Sequence, residues 1–163
     1  MTEAVRRPSA AGHDFDALFR EHADGVVRTM FAFAGGRRAL AEEATAEAFA
    51  RAIAARERIR DPVAWIYRTA FRIVGAELRR ERRVPDEEIR PRDVPEGLRP
   101  VVDALRELSP NQRAAIVLRY EADLPVREIA TRMGASAATV RVHLHRGRNR
   151  LRELLGTEEV DDA

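Results

Sequence analysis

LSPNQRAAIVLRYEADLPVREIATRMGASAATVRVHLHRGRNRLRELL, residues 108–155, is the stretch that decides the fold. Its apolar spacing predicts three helices, of which the first covers Pro110–Tyr120 and the last is long and rich in arginine. Pro125 suits the first turn of the second helix, because a missing N–H costs nothing there. Gly134 can turn with positive φ, and Ser136 suits the N-cap of the third helix. This order predicts a helix-turn-helix whose recognition helix follows Ser136.

The recognition helix divides into two faces at about 100° per residue. The face predicted to pack inward holds Val140, Leu144, Gly147 and Leu151. The opposite face holds Ala138, Arg141, Val142, His145, Arg146 and Asn149. Between residues 137 and 152 there are five arginines and no acid, and a guanidinium fork can bind phosphate or guanine. DNA binding is therefore favoured over a merely solvated cationic helix, and the glycine in the helix interior predicts a close approach by another helix.

Composition limits the classes of protein to consider. The chain has 163 residues and a net charge of +2, so a nucleic-acid surface would need local segregation of charge. All 29 basic residues are arginine, which is typical of a GC-rich genome, and there is no cysteine for disulfide or thiolate chemistry. The N-terminus lacks the apolar segment of a signal peptide, and no long apolar run follows. We expect a cytoplasmic protein without membrane insertion.

Three more helices are predicted in the first half of the chain, after a disordered arm over residues 1–13. The first runs from about Asp14 to Ala34 and is stopped by two glycines. The second covers about Arg38 to Arg56. Its predicted apolar side contains Leu40, Ala44, Ala48, Phe49, Ala52 and Ile53. The third has Asp61 as its N-cap, Pro62 at its first position, and runs to about Arg83.

Two of these helices have exposed faces that could bind a partner. In the second, Glu42, Glu43 and Glu47 form either a solvated face with one Glu47–Arg51 pair or a docking surface, and spacing alone favours the solvated face. The third carries a basic stripe with Trp65 at its edge, made of Arg68, Arg72, Arg79 and Arg83. The stripe is equally consistent with a surface that binds single-stranded nucleic acid and with a solvated charged face beside a Trp65 that is partly buried in the core. Glu77 falls on the apolar side, where it would need a partner from another helix.

Residues 84–100 contain four prolines and dense mixed charge, which is typical of a linker. The predicted fold is therefore all-α, with two small helical modules over residues 14–83 and 101–156 and an acidic, disordered tail over residues 157–163. An enzyme is not expected, because the chain has no glycine-rich phosphate loop and no convincing acid–base set. His143 and His145 are two residues apart on a helix and diverge, so we expect no metal site and no cofactor.

Two pieces of the chain carry a family resemblance: DPVAWIYRTAFRIVGAELRR, residues 61–80, and the quoted stretch up to residue 152. In this order they resemble the extracytoplasmic-function (ECF) class of bacterial sigma factors, over roughly Phe15 to Leu155. The resemblance implies that residues 14–83 correspond to sigma region 2 and residues 101–156 to region 4. It also implies core RNA polymerase, promoter DNA and an anti-sigma factor as partners.

The resemblance assigns roles to particular residues. On the recognition helix, it implies contacts to the −35 element by Arg141, Val142, His145 and Arg146, with Thr139 and Arg148 nearer the phosphates. In the first module, it implies contacts to the opened −10 element by Trp65, Arg68, Arg72, Arg79, Arg80 and Arg83. The segment EEATAEAF resembles the polymerase-docking segment, which implies that Glu43, Glu47 and Phe49 meet the polymerase clamp. This implication reverses the preference for a solvated face on the second helix.

The chain departs from the family pattern at three positions. Ala46 stands where the family usually has Gln, Arg72 where it has the Asn that recognises a flipped base, and Ala76 where it has Asp. We therefore expect strand opening or promoter preference to differ from the usual. Two other functions stay open on the sequence: a stand-alone helix-turn-helix regulator, and a degenerate sigma-like protein that only sequesters a partner.

Overall fold

The computed structural model describes residues 12–82 and 94–156. Within these ranges the chain forms seven α-helices and no β-strand. The predicted arm (1–13), linker (84–100) and acidic tail (157–163) lie outside the described residues, except for residues 12–13 and 94–100. The all-α class and the two helical modules predicted from the sequence are confirmed.

The first module consists of three helices: α1 (Phe15–Phe33), α2 (Arg38–Ala55) and α3 (Pro62–Glu81). Asp14 caps α1 by accepting a hydrogen bond from the Ala17 N–H at 3.1 Å, and Asp61 caps α3 in the same way through Ala64 at 3.0 Å. Gly35 adopts a φ of 70°, which ends α1 as expected. Each of these helices begins and ends within two residues of the predicted bounds.

The second module consists of four helices: α4 (Arg99–Arg106), α5 (Pro110–Tyr120), α6 (Val126–Met133) and α7 (Ala137–Leu155). Gly134, with a φ of 66°, and Ser136, which accepts the Thr139 N–H at 3.1 Å, take their predicted places in the turn. Pro125 is the N-cap of α6 rather than its first helical residue. The helical structure of this module starts earlier than residue 101, with a 3-10 turn over Glu96–Leu98 that leads into α4.

One apolar cluster runs through both modules. Its largest fully buried side chains include Met30 and Ile66 from the first module and Leu118 and Ile129 from the second. The prediction of a buried Ile53 is wrong, because its side chain is 47% exposed near the end of α2. The modules touch where α3 packs on α6 and α1 packs on α5. The two basic helices α3 and α7 therefore belong to a single packed body.

Candidate nucleic-acid and polymerase interfaces

The recognition helix α7 has the two faces that its sequence predicts. Val140, Leu144 and Gly147 are buried, and Leu151 is half-buried. A Cβ on Gly147 would lie only 2.9 Å from Cγ1 of Ile116 on α5, so the glycine marks the predicted close approach of two helices. This packing fixes α7 against α5 and turns its arginine-rich face outward.

All six predicted −35 contacts lie on α7 and reach solvent, fully or in part: Thr139, Arg141, Val142, His145, Arg146 and Arg148. Within the described ranges, Arg141, Arg146 and Arg148 have no ion-pair partner, whereas Arg150 pairs with Glu153 at 3.1 Å. Unpaired guanidinium groups keep all their donors available for phosphates or bases. The Thr139 hydroxyl lies 2.8 Å from Ser136 Oγ, at the N-terminus of the helix. The outward face of α7 is therefore a cationic surface on a rigid scaffold.

The predicted −10 contacts are more dispersed. Arg72 and Arg79 are exposed, Trp65 is half-buried against the core, and Arg83 lies outside the described residues. Arg68 is half-buried, because its side chain runs along α3 and against the turn after α6. Arg68, Arg72 and Arg79 line one wall of a cleft of about 260 Å³, whose other wall is formed by α5 and α6. Three of the six predicted residues thus share one surface.

Arg80 does not share that surface. It lies in a groove of about 460 Å³ between α2 and α3, where it donates from Nε to Glu77 Oε2 at 3.1 Å. The hydrogen bond from Arg80 lowers the pKa of the Glu77 carboxyl below its usual value, so the acid stays ionised. The partner of Glu77 therefore comes from its own helix, one turn on, and not from another helix as expected. Arg80 belongs with this groove and not with the basic stripe.

The same groove contains two of the three predicted polymerase-docking residues. Glu43 and Glu47 line it, and Glu47 also accepts a hydrogen bond from Arg51 at 2.8 Å. Phe49 is only 3% exposed, because its ring packs edge-on against Phe19 at a centroid distance of 5.0 Å. In this arrangement Phe49 supports the position of α2 and offers no surface to a partner. The exposed ring of the pair belongs to Phe19, which is 50% exposed.

Arg113 and Glu121 were not singled out from the sequence, yet both join the two modules. Arg113 is buried in α5 and donates to the carbonyl oxygens of Leu105, Arg106, Leu108 and Phe33. Burial lowers the pKa of this guanidinium to about 10, so Arg113 is still charged at neutral pH. A cation on an otherwise apolar helical face is the one local signal that could have identified it.

Glu121, at the C-cap of α5, accepts a hydrogen bond from the Thr29 hydroxyl at 3.0 Å and lies 3.6 Å from Arg28 Nε. Thr29 itself is fully buried. No sequence pattern identifies such a pair, because the partners are 92 residues apart.

Among the described residues, no helix is both long enough and apolar enough to cross a membrane.

Comparisons with known proteins agree with both modules. Residues 18–84 match the family description "Sigma-70 region 2", and residues 98–151 match "Sigma-70, region 4". The chain is 31% identical to the RNA polymerase sigma factor CarQ of Myxococcus xanthus, over 91% of this chain and 93% of CarQ. It is 30% identical to the ECF RNA polymerase sigma factor SigE of Mycolicibacterium smegmatis, over 94% of this chain and 66% of SigE.

The chain spans 66% of the length of SigE and about a third of the length of three sigma-E factors from Streptomyces. Among solved structures, the fold is similar to the sigma factor RpoE of Bartonella quintana in complex with the anti-sigma factor NepR. The TM-score is 0.69, with 23% identity over 90% of this chain and 99% of RpoE. The matches to both sigma-70 regions, together with 31% identity to the ECF RNA polymerase sigma factor BldN of Streptomyces coelicolor over 100% of this chain and 67% of BldN, show that the chain belongs to the ECF sigma factors of the sigma-70 family.

Proposed function

We propose that this protein is an alternative sigma factor that binds core RNA polymerase and directs it to promoters with a −35 and a −10 element. The observation that carries the proposal is the outward face of α7, where arginines without ion-pair partners in the described ranges extend from a helix packed firmly onto α5. Such a helix fits the major groove of duplex DNA. Membership of the ECF family supports this proposal.

In the second module, α7 would read the −35 element in duplex DNA. Arg141 and Arg146 can each form two hydrogen bonds to guanine O6 and N7, and Val142, 46% exposed, offers an apolar contact to a thymine methyl group. His145 is exposed among these residues and can face a base edge. Thr139 and Arg148 would hold phosphates and so fix the register of the helix on the duplex.

In the first module, Arg72 and Arg79 would hold the backbone of the opened −10 strand, with Arg68, Trp65 and Arg83 as the further predicted contacts. Guanidinium groups beside aromatic rings suit a single strand, because phosphates pair with the cations while bases stack on the rings. With Arg72 and Ala76 in place of the family's Asn and Asp, we expect a promoter preference that differs from the usual at the flipped base.

Polymerase would bind the α2–α3 groove, where Glu43 and Glu47 are exposed beside the apolar side chains of Leu40 and Ile73. The groove is also lined by Arg37 and Arg80, which pair with Glu81 and Glu77, so Glu43 is the acid at its edge that remains for a basic residue of an amphipathic partner surface. Polymerase would then hold both modules at a fixed spacing, so that two weak DNA contacts act at high effective concentration. In this mechanism the sigma factor binds and positions, the polymerase performs the bond chemistry, and both work in the cytoplasm.

An anti-sigma factor is the further partner that we propose. Two structures with this fold, RpoE of Bartonella quintana and CnrH, were solved in complexes with NepR and with the cytosolic domain of CnrY. The similarity of this chain to RpoE and CnrH is a similarity of fold, and the regulator is our proposal. Binding of such a regulator to this chain would keep it away from polymerase until a signal arrives.

The decisive experiment measures binding of the purified protein to bacterial core RNA polymerase. We compare the wild type with the double variant Glu43→Arg/Glu47→Arg and with a control, Glu21→Arg/Asp24→Arg, which changes the same charge on an exposed part of α1 outside the groove. We expect tight binding by the wild type and the control, and a loss of binding in the groove variant. A well-folded wild type that does not bind core polymerase would contradict the proposed function.

A further inference from the structure

Three polar side chains form a hydrogen-bonded row along α7. Asn149 lies one turn beyond His145, and its Nδ2 atom is 3.2 Å from His145 Nε2. On the other side, Asn149 Oδ1 accepts a hydrogen bond from Nη1 of Arg152 at 3.0 Å. His145 and Asn149 are both exposed on the face of α7 that we propose for the −35 element. The row therefore connects a predicted base contact with two residues further along the same helix.

Arg152 determines which way round the Asn149 amide lies. The oxygen and nitrogen of an amide group can exchange places by rotation, but a guanidinium carries N–H donors only. The Asn149 atom that faces Arg152 is therefore the oxygen, and the amide nitrogen faces the His145 ring. Because an amide nitrogen only donates, His145 Nε2 has to accept, and a ring nitrogen that accepts carries no proton.

The state of Nε2 decides what the rest of the His145 ring can do. A neutral imidazole whose Nε2 accepts a hydrogen bond carries its proton on Nδ1. Among residues 12–82 and 94–156, Nδ1 of His145 has no partner, so its N–H is available to a ligand. In the major groove, guanine, adenine and thymine each present an acceptor atom, whereas cytosine presents the donors of its N4 amino group. A ring in this state can therefore bond to every base edge except that of cytosine.

We propose that Asn149 is a positioning residue for promoter recognition: it holds the proton of His145 on Nδ1 and so makes the ring a donor that selects against cytosine. The inference rests on the proposed function, since it explains how one proposed −35 contact distinguishes between bases. Asn149 acts through the His145 ring and needs no contact of its own with DNA.

Two substitutions of Asn149 separate this role from a merely structural one. Asn149→Leu removes the donor that faces the ring while keeping a side chain of similar size, so Nε2 becomes free to take the proton. Asn149→Asp replaces the donor by an acceptor, which favours a proton on Nε2. The matched control is Asn111→Leu, which makes the same replacement at an exposed position in the first turn of α5. Circular dichroism checks that each variant is folded.

The first measurement is the position of the ring proton of His145 in the free protein. Long-range proton–nitrogen correlation spectra of the ¹⁵N-labelled chain, in mildly alkaline buffer, distinguish a protonated from an unprotonated ring nitrogen. The signals of His145 are those that disappear in His145→Ala. We expect the proton on Nδ1 in the wild type and in Asn111→Leu. It should move partly to Nε2 in Asn149→Leu, and Nε2 should be protonated in Asn149→Asp.

The second measurement is the base preference of the full chain, obtained by selection from duplexes that are randomised over one turn of the double helix. The base pair that His145 contacts is the one whose preference disappears in His145→Ala. At that base pair we expect the wild type to select against cytosine, and Asn149→Leu to weaken this discrimination about five-fold, as the loss of one hydrogen bond would. In a His145→Ala background, Asn149→Leu should change the preference no further, because its effect passes through the ring.

Four results would overturn the inference: a wild type with the proton on Nε2 of His145, a proton position that neither Asn149 variant changes, a wild type with no preference that depends on His145, or a preference that Asn149→Leu leaves intact. Neither measurement involves polymerase. A wild type that fails to bind core polymerase would reject the proposed function, whereas the spectra would still report whether Asn149 sets the ring proton. The two ideas can therefore fail separately.

Discussion

At the scale of single residues, Gly147 determines how closely α7 can lie on α5. Its hydrogen faces Ile116, with Cγ1 and Cδ1 only 2.9 and 3.2 Å from where a Cβ would stand. We expect Gly147→Ala to lower the free energy of unfolding by roughly 1 kcal/mol, because overpacking of about 1–3 kcal/mol outweighs a gain of about 1 kcal/mol in helix propensity. Urea denaturation of both proteins measures this difference.

Gly97→Ala is the matched control, since nothing lies within 4 Å of a Cβ at that glycine. It should leave the stability unchanged or slightly raised. Combining Gly147→Ala with Ile116→Val should recover part of the loss, because the smaller side chain makes room for the new methyl group. A Gly147→Ala protein as stable as the wild type would show that the packing cost does not exceed the gain of about 1 kcal/mol in helix propensity.

Single residues also show what sequence reasoning can and cannot reach. The role of Gly147 was predictable, because glycine destabilises the interior of a helix and so indicates a neighbouring helix too close for a side chain. The buried position of Arg113 was not, because its acceptors include the Phe33 carbonyl, 80 residues away. Phe49 was assigned to a surface by family resemblance, yet its place on the inner side of α2 follows from its own apolar pattern.

At the scale of elements, α7 is the helix whose side chains should determine promoter preference. We expect Arg146→Ala to weaken binding to a −35 duplex by about 1–3 kcal/mol and to relax the preference for particular bases. Arg150→Ala is the control, because Arg150 is paired with Glu153 on the same helix. Its effect should be smaller and equal for all sequences. Fluorescence anisotropy with matched and mismatched duplexes gives both quantities.

Equal, sequence-independent losses in Arg146→Ala and Arg150→Ala would show that α7 contacts only the DNA backbone. The helices themselves were predictable within about two residues, since Asp61 and Ser136 act as the N-caps that the sequence predicts. Arg80 was harder to place, because periodicity defines a face of α3 but does not say which neighbouring helix it meets. Its pair with Glu77 lies within α3, but only the packing of α2 against that side of the helix places the pair in the other groove.

At the scale of the whole molecule, one apolar cluster connects two modules that the sequence describes separately. We therefore expect the wild type to unfold in a single cooperative transition by differential scanning calorimetry, with equal calorimetric and van't Hoff enthalpies. In Glu121→Arg, the weakened contact should separate the melting of the two modules into two transitions, or broaden the single one. The control Glu96→Arg, which makes the same change of charge at an exposed position of the second module, should melt like the wild type.

Two resolved transitions in the wild type would mean that the modules are energetically independent.

The association of the two modules could not be predicted from the sequence, because it depends on contacts between distant segments, such as Thr29 with Glu121 and Arg68 with the turn at Gly134. Periodicity predicts which face of a helix is apolar but does not distinguish a core shared by two modules from two separate cores.

The contact between the modules also affects how a free sigma factor behaves among the bulk DNA of a chromosome, which offers on the order of 10⁶ or more non-specific sites. Non-specific affinity depends on how many phosphates a protein neutralises at once. A molecule that presents α7 but covers part of α3 engages fewer phosphates and dissociates sooner. We expect such a molecule to be titrated less by the chromosome, and so to meet polymerase by diffusion before it commits to DNA.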